Sequence, residues 1–155
     1  MERSVKTGFS FGLVSGIITT LGLMIGLNAV TNSRLVVIGG ILTIAIADSL
    51  SDSLGIHISE EFKKRKDKEV WKATFSTLIS KFLFAMTFII PVLLFNLTTA
   101  IIVSIIWGLS LISILSFYIA EKGNKIKVIL EHLIIAVIVI VLTNFVGKWI
   151  GQVFV

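Results

Sequence analysis

The chain has no cysteine, a single proline and few charges; only 15% of its 155 residues are Asp, Glu, Lys or Arg. Without thiols there is no disulfide framework and no thiolate metal site, and the redox compartment cannot be read from cysteine usage. Apart from Pro91 there is no Pro-, Gly- or Ser-rich stretch to serve as a linker, so one domain is expected. No nucleophile stands beside a base, and no Gly-rich phosphate loop precedes a helix. Enzymatic activity is therefore not expected. A cleavable leader is also not expected, because the first apolar run is too long and lacks a small-residue cleavage site.

What the chain has in quantity is apolar sequence: 55% of it is hydrophobic, with a mean hydropathy of +1.02. Several runs reach the roughly 20 residues needed to cross a bilayer. The expected fold is all-α, an integral membrane five-helix bundle with spans at about 8–30, 35–57, 77–95, 100–120 and 128–154. The first span carries Gly8, Gly12 and Gly16 at four-residue spacing, then Gly22 and Gly26. Small residues so spaced let helix backbones approach closely in lipid, within one subunit or between two. No breaker follows the second span. Its helix is expected to run on through Ser59 and the charged stretch to Glu69, with Glu60 and Glu61 pairing four residues on with Lys64 and Arg65. Pro91 is expected to kink the third span, and Gly123 with Asn124 to stop the loop after the fourth.

The net charge of +5 could suggest nucleic acid, but the basic residues gather at span ends. Arg3, Lys6, Lys63 to Lys72, Lys122, Lys125 and Lys127 fall on one side. Only Arg34 and Lys148 fall on the other. By the positive-inside rule the N-terminus is cytoplasmic and the C-terminus external. The expected partners are the lipid bilayer and a second copy in a homodimer, with no nucleic acid. Lys72 and Lys81, beside Trp71 and Phe75, are expected to snorkel to the interface.

Asp48 and Asp52 lie one helical turn apart inside the second span, and residues at i and i+4 share a face. Two carboxylates in a low-dielectric segment cannot easily both carry charge, so a proton or a divalent cation is expected between them. Carboxylate oxygens suit Mg, Ca and Mn and can serve Fe(II). Ser51 is a candidate neutral ligand. His57, Glu60 and Glu61 form an expected ladder guiding the cation from the cytoplasmic mouth. The alternative is that the aspartates only bond a neighbouring helix and the three mouth residues form a solvated face. Glu131 and His132 at the start of the fifth span could contribute.

Two stretches carry a family resemblance. Gly12-Leu13-Val14-Ser15-Gly16 through Gly22 resembles the first helix of the vacuolar iron transporter family. Gly39-Gly40 and Ala47-Asp48-Ser49-Leu50-Ser51-Asp52-Ser53-Leu54-Gly55 resemble its second. The likeness covers roughly the first 65 residues. It implies five spans, a second helix projecting into the cytoplasm, and a dimer exchanging Fe(II) or Mn(II) for protons along its first two helices. Phe11, Asp52 and Ile56 stand where the family usually has an acid, a methionine and a glutamate. The family's glutamate-rich cytoplasmic insert is missing. The expected function is a proton-coupled divalent-metal transporter (Fe2+ or Mn2+), and the alternative a non-transporting scaffold or regulatory partner of the same fold.

Overall fold

A computed structural model describes residues 2–120 and 124–154; Met1, Glu121 to Gly123 and Val155 lie outside them, and with them the Gly123 stop signal and Lys122. Every element among the described residues is a helix: α1 (Arg3–Thr31), α2 (Arg34–Phe62), α3 (Asp67–Thr87), α4 (Ile89–Leu94), α5 (Leu97–Ile119) and α6 (Lys125–Phe154). Counting α3 and α4 as one span, five are long and apolar enough to cross a membrane, which fits an integral multi-pass membrane protein.

α1 is the centre, packing against α2, α3, α5 and α6. Its Ile17, Leu21 and Met24 are fully buried, with Ile41 of α2, Phe88, Val92 of α4 and Ile112 of α5 around them. In lipid, apolar area gives little drive for helices to associate, so close packing and polar contacts must do it. Glycine provides the closeness. A Cβ on Gly8 would sit 2.2 Å from Ala73 O, and one on Gly147 of α6 would sit 2.6 Å from Gly26 O. The first-span stripe of Gly8, Gly12 and Gly16 is thus occupied by α3 of the same chain.

One expectation about the elements needs correction. The second helix does not run on to Glu69: it ends at Phe62, Lys64 adopts a left-handed φ of 53°, and α3 starts at Asp67. Propensity is a weak prior. Here Glu60, buried against the bundle, draws back the Lys63 ammonium at 2.6 Å and the Arg65 guanidinium at 3.9 Å. The anticipated pairs with Lys64 and Arg65 four residues on are replaced by this hook. The helix that carries the expected third span starts at Asp67, and α3 with α4 continues to Leu94. The kink expected from Pro91 is present, with the helix broken at Phe88, three residues before it. Proline has no N–H for the carbonyl of Thr87, and its ring crowds that carbonyl, so the break comes before it.

The turns behave as the sequence suggests. The Asn96 side chain caps α5 by accepting from Thr99 N–H at 3.0 Å. Arg34 Nη2 donates to Phe95 O at 2.5 Å, tying the α1–α2 turn to the α4–α5 turn at one end of the bundle. At the opposite, basic end, Lys72 pairs with Glu2. Its ammonium, donating a hydrogen bond, holds the Glu2 carboxyl below the usual carboxylate range.

Candidate functional site

α1, α2 and α3 converge on three charged side chains. The bare α1 backbone permits it: a Cβ at Gly12 would lie 2.6 Å from Thr77 O, and one at Gly16 would lie 2.9 Å from Lys81 O and 3.3 Å from Lys81 Cγ. Lys81 therefore lays its stem over Gly16 and reaches across to α2. Its ammonium lies 2.5 Å from Asp48 Oδ2 and donates to Asp52 Oδ2 and to Ser15 Oγ at 2.9 Å. Ser15 passes its own proton to Asp52 Oδ2 at 2.6 Å. Asp52, Ser15 and Lys81 are thus a closed hydrogen-bonded trio. Asp48 Oδ2 is buried against the same ammonium.

A lone charged side chain costs about 3 kcal/mol at the centre of a spanning helix. Three of them persist here because each offsets another, and because Ser15 satisfies a lone pair and a donor at once. A proton or a divalent cation is the expected occupant between the two carboxylates; in the structure the Lys81 ammonium stands there instead, with Ser15 bonded to Asp52.

Lys81 does not snorkel. It is 1% exposed, among the most buried side chains in the protein. Fourteen residues separate it from the start of α3 at Asp67, about 21 Å along the axis, far beyond the reach of a lysine stem. The expected span at 77–95 puts Lys81 near its end, whereas the helix begins at Asp67 and turns Lys81 inward between α1 and α2. The missed signal is that Lys81 is the sole basic residue between Lys72 and Lys122. An isolated lysine in so apolar a stretch needs a carboxylate, and Asp48 and Asp52 are the acids of the neighbouring second span.

The other expected site residues do not join the cluster. Ser51 is exposed, on a face shared with Gly55, which has no neighbour within 4 Å. At 100° per residue, Glu60 lies about 120° around the helix from Asp48, and His57 about 180°, so the ladder does not share one face. His57 turns to α3, where Nδ1 lies 3.0 Å from Thr74 Oγ1 and the ring meets Trp71 edge to face at 4.7 Å. Thr74 spends its proton on Val70 O, which makes His57 Nδ1 the donor of that bond. Glu61 is 3.5 Å from His57 Nε2. Glu60 is buried and engaged by Lys63 and Arg65. Among the described residues no three His, Asp or Glu side chains come together as a metal cage. His132 bonds the buried Ser116 at 2.7 Å, and Glu131 is exposed, 3.9 Å from Lys127.

Comparison with protein-family models, with curated proteins and with solved structures returned no match.

The charge cluster is only partly closed. The side chains of Asp48 and Asp52 stay 29% and 24% exposed. Asp48 borders an open groove of about 600 Å³ between α1 and α2, with Thr19 and Thr43 also on its wall. Asp48 is thus the carboxylate of the pair that faces this groove.

Proposed function

We propose that the protein is a multi-pass membrane transporter of a divalent cation of the Fe2+ or Mn2+ kind, moved in exchange for protons. One observation carries the reading: at formal charge two carboxylates and one ammonium sum to −1, amid helices apolar enough to span a bilayer. A structural ion pair needs one acid for one base. The second carboxylate leaves a charge that only a proton or a further cation can balance, and both can reach it from the groove. In this reading the cargo binds Asp48 first and then competes with Lys81 for Asp52. The N-terminus is cytoplasmic and the C-terminus external, from the lysine asymmetry.

Two carboxylates are a thin ligand set for an ion that takes about six oxygens. A homodimer would double it. The Gly8-Gly12-Gly16 stripe is filled by α3 and is not available for that contact. α2 offers another: Gly39, Thr43, Ala47, Ser51 and Gly55, all exposed at four-residue spacing, with open space at Gly39 and Gly55. This face flanks the aspartates, and a second copy packed there brings two Asp48 side chains towards one another.

The second reading is a non-transporting scaffold, favoured by the hydrogen-bonded Ser15–Asp52–Lys81 trio, which locks three helices without any cargo. Uptake of Mn(II) or Fe(II) into proteoliposomes separates the two. Asp48→Asn is expected to cut the rate at least ten-fold while leaving a monodisperse, folded protein. Wild-type rates from both Asp48→Asn and Asp52→Asn would make the cluster structural.

A further inference from the structure

We propose that the groove between α1 and α3 at the basic end of the bundle is a binding site for one anionic glycerophospholipid. The inference rests on the helices spanning a bilayer and is independent of transport. The groove encloses about 790 Å³ on the outer surface of the helix pair. Its floor is apolar: Phe9 of α1, then Phe75, Ile79 and Leu83 one turn after another along α3. From Lys72 to Leu83 is eleven residues, about 16 Å of helix. That is close to half of the ~30 Å hydrocarbon core, the depth one acyl chain occupies from its own side of the membrane.

Only one end of the groove is charged. Lys68 and Lys72 line it there, beside Trp71, which stacks on Phe75 at 5.5 Å and lies where an interfacial ring belongs. Lys72 is paired with Glu2, whereas Lys68 is exposed and makes no ion pair among the described residues. Two ammoniums against one carboxylate leave a net positive charge at the point where a headgroup phosphate would sit over the chain in the groove. A zwitterionic lipid brings its own ammonium to that point and gains less. The wall on the α1 side is fixed, because Ser76 Oγ donates to Val5 O at 3.0 Å and holds the two helices at constant separation.

The test is lipid retention by the full-length protein, purified and delipidated in mild detergent and then offered phosphatidylglycerol or phosphatidylcholine in equal amounts, with bound lipid read by native mass spectrometry. Phosphatidylglycerol is expected to be retained at one per chain in clear preference. Lys68→Gln with Lys72→Gln should lower that preference about five-fold for each lysine. Ile79→Trp, which fills the floor and leaves both lysines, should reduce retention of phosphatidylglycerol as well. Equal retention of the two lipids by the unmodified protein would overturn the proposal, as would no effect of the lysine pair. Full displacement by glycerol phosphate, which has no acyl chain, would show a headgroup contact only. A smaller oligomer from Ile79→Trp would show that a second copy covers the groove. Either result would also overturn it.

Discussion

Lys81 sits about 13 Å deeper along α3 than Lys72, and its burial is possible only because acids on α2 meet it there. Removing the ammonium should therefore cost more than removing a surface charge. Lys81→Met leaves two half-buried carboxylates facing one another, and loss of one partner of a buried pair typically costs about 3 kcal/mol or more. The triple variant Lys81→Met, Asp48→Asn, Asp52→Asn should recover most of that loss, because the residues act as a unit. Equilibrium unfolding in mixed micelles measures both. If the triple variant is as unstable as Lys81→Met alone, the lysine stem matters for packing and its charge does not.

At the scale of elements, the α1 stripe does two jobs with one residue type. Gly8 and Gly12 let α3 lie against α1, and Gly16 leaves the channel along which Lys81 crosses to α2. Gly12→Leu should thus lower the melting temperature of the folded chain in detergent without changing its oligomer size. Gly39→Leu, on the open face of α2, should do the reverse. A dimer lost on Gly12→Leu and kept on Gly39→Leu would restore the first-span stripe as the contact between copies. Gly39 and Gly12 look alike in sequence because the i, i+4 spacing of small residues marks a close approach without naming the partner.

Across the whole molecule, charge separates the two ends of the bundle. The basic end carries Arg3, Lys6, the α2–α3 turn and Lys125 and Lys127, while the other carries Arg34 and Lys148. A reporter inserted after Lys66 is expected to read cytoplasmic and one fused at the C-terminus external. Both on one side would mean that one of the five helices does not cross. The segment to suspect in that event is Phe82 to Phe95, which the break at Phe88 interrupts.

The five long apolar helices, the α1–α2 and α4–α5 turns and the basic asymmetry were legible in the chain because each depends on local composition: about 20 apolar residues, a capping Asn or Ser, a cluster of lysines. That two acids share one turn of an apolar helix was legible for the same reason; that an ammonium of the chain itself stands against them was not. That depends on the register of α3 against α2, set by where the Glu60 hook turns the chain and by how closely the α1 glycines admit α3. The register of one helix decides whether Lys81 points to the outside of the bundle or inward to the acids of α2. Helix propensity does not resolve that register, and the tertiary packing does.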